Sequence, residues 1–181
     1  MRDPRTWVAA ALVFAALVLQ VTLVTRLPLP GRVAPDLVLV VVAALALRTG
    51  PLRGCVTGFC AGLAADVIPP AFHTIGRYAL VYCLVGYLVG LAKDETQDSP
   101  LLSAAVVALG ALGGTLLYTV FGVVFSDPRI TGAALSRVLP VSVLYDVILS
   151  PFVLYVVAAF IDRADPERLG WRRFPGSWTS P

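Results

Sequence analysis

The sequence predicts an all-α integral membrane protein, a bundle of about six transmembrane helices. Of its 181 residues, 58% are hydrophobic and 14% are charged, and the mean hydropathy is +0.85. Such a chain is too apolar to be a soluble domain. The basic residues flank apolar runs instead of clustering on a polar face, which excludes nucleic acid as a partner despite the net charge of +3.

The apolar runs define the elements of the predicted bundle. They cover residues 7–24, 36–47, 52–68, 78–91, 101–125 and 138–161. Between them the sequence predicts a tight basic turn over residues 48–53 and a polar loop over residues 126–137. Ser99–Pro100 is a predicted helix start, and Pro140 is expected in the first turn of the last helix. The first is about 18 residues long, and no cleavage site or polar mature domain follows it, so it is expected to be a retained span. The second is only about a dozen residues long, and a full span and a re-entrant or tilted element both remain compatible with that length.

The Lys and Arg residues of the connecting segments predict the orientation. With six spans and a cytoplasmic N-terminus, nine basic residues face inward and five face outward, as the positive-inside rule requires. Five spans with an outside N-terminus give the same count. A cytoplasmic C-terminus is therefore predicted, and a cytoplasmic N-terminus is expected, for a single multi-pass membrane domain over residues 1–161 of a protein of the plasma membrane.

Residues 162–181 form a short basic and aromatic tail on the cytoplasmic side. Its cations and amphipathic rings suit an anionic lipid surface, although docking of a partner fits equally well. These side chains are Arg168, Trp171, Arg172, Arg173, Phe174 and Trp178.

Glycines at four-residue spacing predict where helices pack closely. The third segment carries Gly54, Gly58 and Gly62, which form one ridge without side chains along the helix. The same spacing recurs on the next two segments, at Gly86 and Gly90 and at Gly110 and Gly114. All seven glycines are predicted helix-packing positions, and the hairpin of segments three and four is the expected organising contact.

Three ionisable residues within or beside the apolar runs need an explanation, because charge inside a membrane is costly. Asp66 ends the glycine ridge near the end of its helix and is expected to pair with Arg77 across the bend; a proton or ligand site is the alternative. Asp146 lies about nine residues, roughly 12 Å, into the last segment. It must be neutral, paired or facing a wet cavity, and structural and functional roles both remain open for it.

Other polar or special residues have structural explanations. Asp36 follows Pro35 at a helix start and is expected to be a cap. His73, the only histidine, falls in a bend after the helix-ending pair Pro69–Pro70. Pro151 is expected to kink the last helix.

No catalytic or cofactor chemistry is predicted. Cys55, Cys60 and Cys83 lie in apolar runs without metal-ligand spacing and are expected to be small core residues. No nucleophile–base pair, phosphate-binding loop or zinc signature is found in the sequence. We therefore predict a protein that is not an enzyme and has no catalytic residue, metal site or cofactor.

Four stretches resemble the rod shape-determining MreD family over about residues 7–161. They are P-D-L-V-L-V-V-V from Pro35, T-G-F-C-A-G-L-A-A-D-V from Thr57, I-G-R-Y-A-L-V-Y-C-L-V-G-Y-L-V-G from Ile75 and Y-D-V-I-L-S-P-F-V-L-Y from Tyr145. The G-x-x-x-G-x-x-x-D string with the later Ile-Gly is the most specific part. The chain departs from the family at Asp146, where an amide is frequent, and at Pro69–Pro70, which replace a small polar turn.

The resemblance implies a multi-span protein of the bacterial plasma membrane and of the elongation machinery, with MreC, MreB, RodA and a penicillin-binding transpeptidase as partners. It also implies a fold similar to the S components of energy-coupling-factor transporters. The first hypothesis is a non-enzymatic scaffold that helps maintain cell shape by organising lateral peptidoglycan synthesis. The alternative is a small-molecule-binding or transport component, to which Gln20, Ser142, Asp146 and Ser150 could contribute polar groups. A lipid-acting enzyme is a third hypothesis, with Asp66 and Asp146 as its acid–base groups.

Overall fold

The computed structural model describes residues 4–22, 35–68, 76–96, 99–124 and 132–164, and for 132–139 it describes the backbone only. These ranges contain six helices and no strand, which confirms the predicted all-α class. The helices are α1 (Pro4–Thr22), α2 (Leu37–Thr49), α3 (Pro51–Val67), α4 (Arg77–Leu91), α5 (Pro100–Val124) and α6 (Gly132–Arg163).

Three of these helices are long and apolar enough to cross a membrane: α1, α5 and the Pro140–Arg163 part of α6. They support the predicted membrane class. The helices α2 and α4 are shorter apolar helices, and α3 has 17 residues. The topology of six spans and the likeness to energy-coupling-factor S components therefore stay predictions.

The short helix α2 is the centre of the bundle. All ten residues from Val38 to Leu47 are buried, and α2 contacts each of the other five helices. A helix that is apolar on every side is expected to be surrounded by protein or lipid. Its 13 residues span about 20 Å, so α2 is shorter than the roughly 30 Å of a hydrocarbon core.

The connection from α2 to α3 is shorter than the sequence predicts. A basic turn over residues 48–53 was expected, but Gly50 alone separates the helices. Gly50 has φ 94°, a conformation that glycine adopts without steric cost, and Pro51 suits the first position of a helix. Arg48 and Arg53 therefore lie within helices, and Arg48 forms an ion pair of 3.7 Å with Asp162 near the end of α6.

The start of α6 corrects another expectation. The loop predicted for residues 126–137 ends early, because α6 already begins at Gly132, and Pro140 lies inside the helix instead of in its first turn. The segment G-A-A-L-S-R before residue 138 contains alanine, leucine and arginine, three of the strongest helix formers. Their propensity extends the helix over residues expected to be polar loop.

Pro151 is accommodated within α6 by its neighbour. Proline has no N–H for the carbonyl four residues earlier, here that of Val147. The hydroxyl of Ser150 donates to the Val147 oxygen at 2.8 Å and satisfies that carbonyl.

The remaining boundaries agree with expectation where they are described. Pro100 begins α5 as predicted, and the Ser99 hydroxyl accepts from the Leu102 N–H at 3.3 Å. The bend with Pro69, Pro70 and His73, and the tail from residue 165 onward, lie outside the described residues.

Candidate functional site

The α3–α4 hairpin is the most extensive helix contact in the described part of the chain. Gly54, Gly58 and Gly62 on α3 face the backbone of α4 in antiparallel register. A Cβ added at Gly58 would overlap the carbonyl of Tyr82, and one at Gly62 would lie 2.6 Å from the Cα of Ala79. The two helices are therefore closer than any side chain at these positions permits.

The glycines of α4 complete the same contact from the other side. A Cβ at Gly86 would lie 2.7 Å from the carbonyl carbon of Gly54, and one at Gly90 would lie 2.6 Å from the Cα of Pro51. Because both partners are backbone, neither can move aside without shifting a helix.

The glycines of α5 meet a different kind of neighbour. A Cβ at Gly114 would lie 2.6 Å from Cδ2 of Leu39, and one at Gly110 would meet Cγ2 of Val89. Both contacts are with the ends of side chains. Gly113, between them, has no atom within 4 Å of an added Cβ.

Asp66 closes the hairpin at the end opposite Gly90. It is fully buried, with 0% of its surface exposed, and its carboxylate accepts three hydrogen bonds from the start of α4. The donors are the N–H groups of Gly76 at 2.9 Å, Tyr78 at 3.2 Å and Ala79 at 3.1 Å. Asp66 therefore binds α4 through its free N-terminal amides, whereas the sequence predicted a pair with the Arg77 side chain.

The guanidinium of Arg77 joins α4 to α5. Its Nε and Nη2 donate to the carbonyl of Tyr118, with Nε at 3.1 Å, and the group lies 3.7 Å from the centroid of the Tyr118 ring. Tyr78 stacks on the same ring at 4.5 Å and meets Tyr82 edge-on at 5.4 Å. This tyrosine cluster connects Arg77 to a second set of polar residues around the start of α2.

The N-terminus of α2 is half-buried against neighbouring helices, and its amides take partners from the protein. Asp36 is the cap, as predicted, and accepts from the Leu39 N–H at 3.1 Å. The Asp36 N–H donates to Oδ1 of Asp146 on α6 at 2.8 Å, and the hydroxyl of Tyr82 lies 2.7 Å from both Asp36 carboxylate oxygens.

Gln20 on α1 also forms hydrogen bonds at the start of α2. Its amide oxygen accepts from the Leu37 N–H at 3.0 Å, and its amide nitrogen donates to the Pro35 carbonyl at 2.9 Å. Three helices thus meet around one helix N-terminus. We call this set of side chains, Gln20, Asp36, Tyr82 and Asp146, the α2 polar cluster.

One atom of the α2 polar cluster stays without a partner in the described part of the chain. Asp146 is 1% exposed, and while Oδ1 accepts from Asp36, Oδ2 makes no hydrogen bond. Asp66 and Asp146 belong to separate clusters, so the structure does not bring the two predicted carboxylates together as an acid–base pair.

Sequence reasoning missed the three tyrosines and the meeting of Asp36 with Asp146. The spacing of Tyr78 and Tyr82 by four residues places them on one helical face and was an available signal. The shortness of segment 36–47 was another, because a helix that ends inside a bundle exposes amides that other helices must satisfy. Among the residues described, no group of three or more His, Cys, Asp or Glu side chains could hold a metal ion.

Comparison with known proteins identifies the chain's relatives. The family model of rod shape-determining protein MreD matches residues 1–162. This range includes Asp66, the α2 polar cluster and all six helices apart from the last residue of α6. No curated protein and no solved structure matches the chain. Because the family match covers nearly nine-tenths of the sequence, the chain belongs to the rod shape-determining MreD family of membrane proteins and has a role in determining rod shape.

Proposed function

We propose that the protein is a non-enzymatic membrane scaffold of the bacterial elongation machinery, which helps organise lateral peptidoglycan synthesis. MreC is its expected direct partner, and MreB, RodA and a penicillin-binding transpeptidase associate directly or through MreC. The bundle resides in the plasma membrane with a cytoplasmic C-terminus.

The way in which buried and half-buried polar side chains are used is the observation that supports a scaffold. Asp66 binds the start of α4, Gln20 and Asp36 bind the start of α2, and Arg77 binds a carbonyl of α5. These groups are engaged in holding helix ends together. The MreD family is a shape-determining family and not a known enzyme family.

The outer surface offers what a partner's single membrane span requires. Large apolar side chains are exposed on several helices, including Phe14 on α1, Leu101 on α5 and Tyr155 on α6. A rigid bundle with apolar faces can hold a neighbouring helix by van der Waals packing.

Co-purification with MreC tests the proposal. The full chain and MreC are co-expressed, extracted in a mild detergent and purified through a tag on MreC. We expect recovery of the wild-type chain and of Gly113→Ala, and lower recovery of Gly58→Ala, because the added methyl destabilises the hairpin. Failure to recover the wild-type chain, together with normal cell shape and wall insertion after removal of its gene, would contradict the scaffold.

The unpartnered oxygen of Asp146 favours one alternative, a small-molecule-binding or transport component. The α2 polar cluster would then supply the ligand's polar contacts. Native mass spectrometry of the purified chain tests this alternative. A co-purifying solute that is lost in Asp146→Leu, while MreC association persists, would favour it; an unliganded chain in both forms would argue against it.

A further inference from the structure

A groove of about 520 Å³ lies between α1 and α3. The α1 wall runs from Arg5 to Leu17, and the α3 wall runs from Leu52 to Ala61. The groove exists because α1 packs mainly against α2 and makes few contacts with α3. We call it the α1–α3 groove.

The two ends of the α1–α3 groove differ in chemistry. Both helices begin at the same end, where Arg5 and Arg53 line the groove, and hydroxyls of Thr6 and Thr49 lie there as well. Apolar side chains dominate the remainder, with Phe14 and the small Ala10 among them. The whole groove, from Arg5 to Leu17, extends along about 18 Å of α1.

We propose that the α1–α3 groove binds an anionic phospholipid, with the phosphate at Arg5 and Arg53 and one acyl chain along the apolar walls. Guanidinium groups bind phosphate through paired, charge-assisted hydrogen bonds. Each arginine also has another interaction in the protein, but a guanidinium has five N–H donors and can bind two partners at once. The groove joins this anion site to a hydrocarbon-lined channel, as a phospholipid requires.

The charge at one end of the groove favours a phospholipid over a partner's apolar helix, because an apolar helix brings no anionic group to Arg5 and Arg53. The basic end of the groove lies on the predicted cytoplasmic side, where anionic lipids attract Lys and Arg.

Native mass spectrometry of the full chain in detergent tests the proposal independently of the scaffold function. The probes are phosphatidylglycerol and phosphatidylcholine with the same acyl chains, and the measured quantity is the ratio of their bound fractions. We expect a preference for phosphatidylglycerol that falls roughly fivefold in Arg5→Gln and in Arg53→Gln. The matched control is Arg163→Gln, since Arg163 is also exposed, ends α6 and does not line the groove.

A second variant tests the acyl-chain position. Ala10 is exposed in the groove, so Ala10→Trp is expected to fill the channel and lower the binding of both lipids. An excess of inorganic phosphate is expected to leave the lipid bound. If the chain binds inorganic phosphate alone but does not bind phosphatidylglycerol at the same concentration, the site recognises only a free anion and the proposal is wrong.

Two other outcomes would overturn the inference. An equal loss of preference in Arg163→Gln and Arg53→Gln would show that general surface charge causes it. Unchanged lipid binding in Ala10→Trp, with weakened recovery of MreC, would show that the groove holds a partner's helix. A negative result leaves the scaffold proposal intact, because co-purification with MreC is measured separately.

Discussion

Two regions of the protein carry the same four-residue glycine spacing but use it differently. In the α3–α4 hairpin, Gly58 and Gly62 lie against the backbone of the opposite helix. In α5, Gly110 and Gly114 lie against the ends of Val89 and Leu39 side chains. Backbone atoms move only with their helix, whereas a side chain can change its rotamer.

The comparison shows that spacing alone does not measure the cost of a substitution. A methyl group in the hairpin must separate α3 from α4, which Asp66 also holds together through its hydrogen bonds. A methyl group on α5 must displace only the ends of one or two side chains. The difference in neighbours therefore predicts a graded series of effects from one chemical change.

The largest effect is expected from Gly58→Ala. The new methyl overlaps the Tyr82 carbonyl, and the loss in free energy of unfolding is expected to be about 3 kcal/mol, net of the helix propensity that alanine gains. Titration of the purified protein with sodium dodecyl sulfate in mixed micelles, followed by circular dichroism, measures it. Gly113→Ala is the control, because an added Cβ there meets open space; equal stability of the two variants would refute the tight backbone contact.

Asp66→Ala is expected to rank second. It leaves three amides of α4 without their acceptor, and we expect a loss of about 2–3 kcal/mol in the free energy of unfolding. Ser99→Ala, which removes the exposed cap of α5, should cost only about 0.5–1 kcal/mol in the same titration. If Ser99→Ala lowered the free energy of unfolding more than Asp66→Ala, Asp66 would not be the residue that holds the hairpin together.

Gly114→Ala is expected to have a small effect. The methyl would lie 2.6 Å from Cδ2 of Leu39 and 3.2 Å from Cγ2 of Val85, so two side-chain ends must shift. Alanine offsets part of that cost, because it stabilises a helix by about 1 kcal/mol relative to glycine. The net change in the free energy of unfolding should therefore stay within about 1 kcal/mol. A loss as large as that of Gly58→Ala would remove the distinction between the two glycine contacts.

Oxidative cross-linking probes the hairpin with the least perturbation. The sulfurs of Cys55 on α3 and Cys83 on α4 lie 3.0 Å apart, so copper-phenanthroline should link them within the folded chain. Cys60 is exposed on α3, so the expectation that it is a core residue was wrong, and it should stay available to a maleimide. A mobility shift without reductant reports the link, and it should weaken in Gly58→Ala. Absence of the link in the wild-type chain would contradict the register in which α3 and α4 pack.

Much of the fold follows from local pattern. Apolar runs separated by proline, glycine and charge predict six helices, and Pro100 and Asp36 predict two helix starts correctly. The exceptions have local causes as well. Gly50 and Pro51 shorten the connection between α2 and α3, and a helix-forming segment extends α6 back to Gly132. The polar clusters could not be derived in this way, because Gln20, Asp36 and Asp146 are far apart in the chain.

The sequence by itself determined the membrane class, the helical segments and the family. It also determined which glycines allow close helix packing and which ionisable residues lie in apolar runs. All of these depend on composition and on local spacing. The tertiary structure decided which partner each residue has. Asp66 binds amides instead of Arg77, and Asp146 completes the cap of α2, because a helix end buried in the bundle takes its hydrogen bonds from whichever helices surround it.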